Sequence, residues 1–147
     1  AVGLETGEIL LVQGARGPTA GKIVQRWPAH SDSLEAVLFY APVNAVVSGS
    51  LDGHVRVWDL NTSSSGSSAV RTDIHLGEDV GVTVLRLEQT RLVVGTTVGS
   101  LQIYDVRTGD ILKELRGDFG AVMDISVSPG SLAVAFETGV VNVYGWE

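Results

Sequence analysis

Short runs of alternating apolar residues, each closed by a turn of small residues, recur along the whole chain. Val55 and Val57 fall on one face of such a run, with His54, Arg56 and Trp58 on the other. That is the period of a pleated strand. Leu101 with Ile103, and Val141 with Val143, keep the same register. Ala45-Val46-Val47 is continuously apolar, the pattern of an inner strand buried on both faces. Asp52-Gly53 sits between two β-rich runs and marks a hairpin, because Asp-Gly favours turns with positive φ.

These elements combine into one repeating unit: an apolar run, a glycine-bearing turn, and an alternating strand ending in an aromatic residue. The fullest copy is residues 46–60, which ends in Trp58-Asp59-Leu60. Others occupy residues 93–106 and 132–145, and a fourth opens the chain with Gly7 and Ile9-Leu10-Leu11-Val12. The equivalent turn glycines, Gly7, Gly53, Gly99 and Gly139, are spaced 46, 46 and 40 residues apart. A period of ~40–45 residues with four strands per unit is that of a propeller blade. The predicted fold is therefore all-β, built from β-propeller blades of four-stranded antiparallel sheets.

Residues 30–60 resemble a complete repeat of the WD-repeat family. His30 stands before a first strand at 34–39, a second strand spans 45–50, Asp52 lies in the turn, and Trp58-Asp59 closes the third strand. The resemblance extends over nearly the whole chain. It implies a buried, hydrogen-bonded bracing set of His30, Ser48, Asp52 and Trp58. A buried carboxylate and an indole N–H each need a partner, and this set supplies one. The same three residues His30, Ser48 and Asp52 suit a catalytic triad by type, but the structural account is preferred. Other copies depart from the pattern. Val98 and Thr138 replace Asp52, Tyr104 and Tyr144 replace Trp58, and Asp118 stands where His30 does. Those blades are expected to rely on apolar packing.

By the same resemblance, partners are met at the start of each first strand and at the residue before the turn Asp. Those positions are Glu5, Ser33, Glu35, Leu51, Gly81, Thr83, Thr97, Ala121, Met123 and Glu137. Glu5, Glu35 and Glu137 would make one mouth acidic, so a basic peptide is the implied ligand class.

About 14 strands are expected, or roughly three and a half WD-type blades, in one propeller fragment with blade parts at 1–27, 30–75, 80–115 and 118–147. Single-chain propellers have ~4–8 blades. Many family members stop after the third strand of the last blade because an N-terminal strand completes it. The expectation is the C-terminal half of a larger propeller. Its end blades would expose apolar faces, which calls for a completing half or a homo-oligomer.

Composition narrows the remaining options. Of 147 residues, 44% are hydrophobic and 18% charged, enough apolar material for a core. The net charge of −7 with no Lys/Arg cluster argues against a nucleic-acid partner. The absence of cysteine excludes disulfides and thiolate sites and fits an intracellular setting, cytoplasmic or nuclear. No apolar run approaches the ~20 residues of a membrane-spanning helix. The first residues do not read as a signal peptide. His30, His54 and His75 lack metal-ligand spacing, and no Gly-rich phosphate loop is present. No metal, cofactor or enzymatic activity is expected. Asp73, Glu78 and Asp79 cluster in an expected loop, and residues 14–21 and 61–68 read as flexible loops. Trp27 and Trp146 are either interface anchors or packing residues of their own blades. The functional expectation is a non-enzymatic scaffold for protein–protein interaction. The alternative is a peptide-recruiting adaptor, such as a ubiquitin-ligase receptor or a reader of basic histone tails.

Overall fold

The structure is a computed structural model that describes residues 1–14, 16–62 and 69–146. The expected loop at 61–68 therefore lies largely outside the described residues, as does one residue of the loop at 14–21.

The strands follow in order: β1 (Val2–Gly3), β2 (Glu8–Val12), β3 (Ile23–Pro28), β4 (Leu34–Tyr40), β5 (Ala45–Ser50), β6 (His54–Asp59) and β7 (Ala69–His75). They continue with β8 (Val82–Glu88), β9 (Arg91–Thr96), β10 (Ser100–Asp105), β11 (Ile111–Arg116), β12 (Val122–Val127), β13 (Ser131–Phe136) and β14 (Val141–Gly145). Each strand pairs antiparallel with its neighbour in sequence, giving four sheets: β1–β3, β4–β7, β8–β11 and β12–β14. This is a partial propeller of blades with no closed sheet.

One glycine-bearing turn repeats in every sheet, between β1 and β2, β5 and β6, β9 and β10, and β13 and β14. Gly7, Gly53, Gly99 and Gly139 have φ of 81°, 82°, 79° and 84°. Each donates its N–H to the carbonyl three residues earlier: Leu4, Ser50, Thr96 and Phe136. A side chain is strained at such a φ, which is why glycine recurs there.

The core lies between sheets. Val47, Val55 and Val57 of the second sheet meet Val82, Leu85 and Val94 of the third. Val93, Leu101 and Ile103 of the third meet Val122, Ile125 and Val134 of the fourth. Ile9 and Trp27 of the first meet Val46 and Trp58 of the second. The middle sheets are thus buried on both faces, as the continuous run at Ala45-Val46-Val47 requires.

Consecutive sheets pack closely over the glycine four residues before the turn glycine: Gly3, Gly49 and Gly95. A Cβ on Gly3 would meet Leu34 Cβ at 3.1 Å, one on Gly49 would meet Val82 Cγ1 at 2.5 Å, and one on Gly95 would meet Val122 Cγ1 at 2.6 Å. The first residue of each following sheet is seated there. Directly after it the inner strand bulges: the pairing slips between Leu34 and Ala36, Val82 and Val84, and Val122 and Asp124. Glu35, Thr83 and Met123 are the residues passed over. A bulge of this kind bends the strand and re-aims one side chain.

Two features differ from the sequence expectation. Trp27 is only 2% exposed and its ring lies 5.8 Å from that of Trp58, so it joins the first two sheets and is closed to outside partners. Asp73 lies in β7 rather than a loop, where it accepts from Arg56 Nε at 3.0 Å and contacts His54 Nδ1 at 2.7 Å.

Gly95→Ala is expected to lower the unfolding free energy by about 1–3 kcal/mol, because both Val122 and Val84 methyls must yield. Gly130→Ala, with no atom within 4 Å of its added Cβ, stays within about 0.5 kcal/mol. Urea denaturation of the two variants beside the parent chain measures both.

Candidate functional site

Two groups of side chains stand out: a buried polar chain in the second sheet, and an exposed rim at the turn end of the inner strands.

The buried chain begins at Trp58 on β6, whose Nε1–H donates to Ser48 Oγ on β5 at 2.8 Å. Ser48 Oγ lies 2.7 Å from His30 Nε2. With its oxygen already accepting from Trp58, the serine hydroxyl donates its hydrogen to that nitrogen. His30 Nδ1–H then donates to Asp52, whose two oxygens lie 3.1 and 3.0 Å away. The tautomer follows from this network. Asp52 also accepts the backbone N–H groups of Ser31 and His54, each at 3.0 Å. One carboxylate thereby ties together the loop before β4, the loop's own backbone and the turn before β6.

Burial lowers the His30 pKa below its ordinary 6.5, against the opposing pull of Asp52. For Asp52, burial acts to raise the pKa. The N–H groups of His54 and Ser31, with His30, more than offset it and leave the pKa below 3.8. The order Asp–His–Ser has the connectivity of a nucleophilic triad. However, Ser48 and the His30 side chain are both 0% exposed, and Ser48 Oγ is occupied by an indole N–H. No surface is open to a substrate at this serine.

The other sheets carry shorter polar links. In the third, Thr96 Oγ1 accepts from the N–H of Ser100 at 3.0 Å, and Tyr104 donates to Gln102. In the fourth, Asn142 donates to the Tyr144 hydroxyl at 3.0 Å, and Thr138 donates to the carbonyl of Phe119 at 2.8 Å. These sheets are therefore not braced by apolar packing alone. Asp118, the residue in the place of His30, is exposed.

The rim is built by one repeated bond. Leu51 N–H donates to Ser33 O at 3.1 Å, Thr97 to Gly81 at 2.9 Å and Glu137 to Ala121 at 2.9 Å. Each bond joins the turn residue to the start of the inner strand, beside the bulge residue. Glu5, Glu35, Leu51, Thr97, Met123 and Glu137 are exposed, and Ser33 and Thr83 are half-buried. A Cβ on Gly81 would touch Leu51 and Thr97 alike, so those two rim residues come together across a sheet junction. Thr83 Oγ1 is buried and has no hydrogen-bond partner among the described residues. The Glu137 carboxylate accepts from the Ala121 N–H at 3.3 Å, which leaves Glu5 and Glu35 as the acids not fastened to this backbone.

Sequence reasoning missed a groove of about 630 Å³ at the opposite end, between the first two sheets. Leu11, Val24, Phe39 and Leu60 line it beside Gln25, whose buried Nε2 has no partner among the described residues. Half-exposed Val24 and Phe39 were its sequence signal, but strand periodicity alone does not say which exposed residues meet. Trp146, the second tryptophan in question, packs on its own sheet: its indole donates to Ser128 O, and Arg91 lies over its ring. Among the described residues no group of three or more His, Cys, Asp or Glu is placed to hold a metal ion, and no helix is long and apolar enough to cross a membrane.

The geometry defines a class: an open array of β-propeller blades with one fully braced repeat. Known proteins agree with that class. No family model matches the chain. It is similar to the protein named Mitochondrial division protein 1 of Aspergillus terreus, 30% identical over 105 residues, which are 67% of this chain and 15% of that protein. The protein of the same name from Aspergillus niger is 30% identical over 86 residues, 58% of this chain and 12% of that protein. In Phaeosphaeria nodorum the identity is 50% over 42 residues, 29% of this chain and 6% of the relative. The chain thus matches about 15% or less of the length of these relatives. Among solved structures, the computationally designed Ika4 protein superposes with a TM-score of 0.77 at 24% identity, covering 97% of this chain and 82% of that one. The designed Ika8 protein gives the same score and identity over 97% of this chain and 41% of the other. These two show the fold. Taken with the blade pattern, the fungal relatives support a WD-repeat family.

Ser48→Ala leaves Trp58 Nε1 and His30 Nε2 buried without partners and is expected to cost about 1–3 kcal/mol, read from chemical denaturation. A pH effect accompanies the network. Because the folded pKa of His30 is depressed, its contribution is present above 6.5 and is lost as pH falls below it. Unfolding free energy should decline as pH drops from about 8 to about 5, and His30→Gln should flatten that decline. An unchanged slope in the variant would assign the effect to another group.

Proposed function

We propose that this chain is a non-enzymatic WD-repeat scaffold, part of a larger propeller, that binds a protein or peptide along the rim of its inner strands. The observation that carries the reading is the bulge repeated in three consecutive sheets. It sets Glu35, Thr83 and Met123 beside the turn residues Leu51, Thr97 and Glu137 at one end of the fold. Bulges concentrate at rims and binding sites because they turn a side chain out of the pleat. The relatives' similarity supports an interaction scaffold in general terms. A cysteine-free composition supports an intracellular setting.

One observation favours the adaptor reading within this class. Exposed Glu5 and Glu35, on a chain of net charge −7, complement a Lys/Arg-rich segment. Such a peptide, titrated at low salt, should bind at least about tenfold more weakly to Glu35→Lys than to the parent, while Asp110→Lys at the opposite end changes little. Binding indifferent to Glu35→Lys would remove the basic-peptide reading.

A further inference from the structure

The fourth sheet leaves open the positions that the other sheets bury. Counted from the turn glycine, Val141 and Val143 correspond to Val55 and Val57, and to Leu101 and Ile103. Those four are at most 4% exposed, sealed beneath the following sheet. Val141 and Val143 are 63% and 71% exposed. Ala135 pairs with Val141 and Ala133 with Val143 across β13 and β14, so the four side chains make one continuous apolar face.

Three junctions within the chain show what covers such a face. The first residue of the next inner strand seats on a glycine: Leu34 on Gly3, Val82 on Gly49, Val122 on Gly95. By the same count the fourth seat is occupied by Ala135. We infer that this face is a fourth blade junction, that its occupant is the innermost strand of a further propeller blade, and that Ala135 selects a strand with glycine or alanine at the seating position. The inference rests on the proposed reading of the chain as part of a larger propeller.

A Cβ at the Gly49 or Gly95 seat would lie 2.5 or 2.6 Å from a valine methyl. Ala135 and a valine seated in that manner therefore exclude one another. Close packing is kept when the methyl group lies on one side of the junction and not on both. A second copy of these 147 residues is a poor occupant. Its first sheet is β1–β2–β3 and carries no inner strand beside β1 to place over Ala135.

The test appends a copy of residues 76–117, which hold β8 to β11, after Glu147 of the full chain. The copy is made with its Val82 retained or changed to alanine, and each form is placed on the parent and on Ala135→Gly. Amide hydrogen exchange at Asn142 and Tyr144, whose N–H groups face β13, is the readout. On the parent, the copy carrying Val82→Ala should slow exchange at least about tenfold relative to the 147-residue chain. The copy with Val82 should do so only on Ala135→Gly. Equal slowing by both copies on the parent overturns the selection by Ala135, and no slowing in any of the four overturns the junction. A stable dimer of the unmodified chain by native mass spectrometry, dispersed by Val143→Asp, assigns the face to a second copy instead. Peptide binding at the rim is measured on the same proteins. Its loss with the junction intact removes the proposed partner face while leaving this inference standing.

Discussion

The close approach of one sheet to the next is the constraint from which the rest of the structure follows. At Gly3, Gly49 and Gly95 the neighbouring sheet occupies the space a side chain would fill. Such contact requires a branched residue on the facing strand, which Leu34, Val82 and Val122 provide. It also requires apolar residues on both faces of the middle sheets, since little water fits between layers packed this tightly. The bulge after each seated residue then turns the inner strand away from its pleat. Packing between sheets and the shape of the rim are thus set by the same few positions.

The second sheet adds a polar solution to this apolar plan. Its four-residue chain buries a carboxylate, an imidazole, a hydroxyl and an indole, each satisfied by the next. Networks of this kind are favourable while complete and costly when one member is lost. The third and fourth sheets avoid that risk with short bonds between near neighbours, Thr96 with Ser100 and Asn142 with Tyr144. Their turns are tied to the loop before the inner strand by hydroxyl bonds, Thr97 Oγ1 accepting from the Gly81 N–H and Thr138 donating to the Phe119 carbonyl, in place of the buried carboxylate of Asp52. One chain therefore contains a sheet locked to its entry loop by a buried carboxylate and two tied there by exposed or half-buried hydroxyl groups.

Much of this was legible in the sequence. The strand alternation at His54–Asp59, the turn glycines and the continuous run at Ala45-Val46-Val47 placed the strands to within a residue or two, because each feature is local. The polar chain was legible from residue types at family spacing. The bulges were not, since a period-two reading assumes constant register. The signal was present as a phase slip: the inward positions Leu34 and Val37 are an odd number apart. Trp27 was ambiguous because its environment is a different sheet, and no local pattern names the partner across a junction. The bonds of Thr96 and Tyr104 were missed for a related reason, as polar groups in strands read equally well as solvent-facing.

The strongest packing between sheets joins those consecutive in sequence, β4 with β8 and β12 with β8 among them. Energetically, such a chain is close to a one-dimensional lattice of coupled units. The inner two units have two neighbours each and the outer two have one. Opening should therefore begin at the termini and travel inward as a front, with the braced unit acting as a pinning point. An open row of blades of this kind is held together like a stack of plates, firm at the centre and loose at the ends of the stack, so any unit packed against an end would set how cooperatively the whole stack melts.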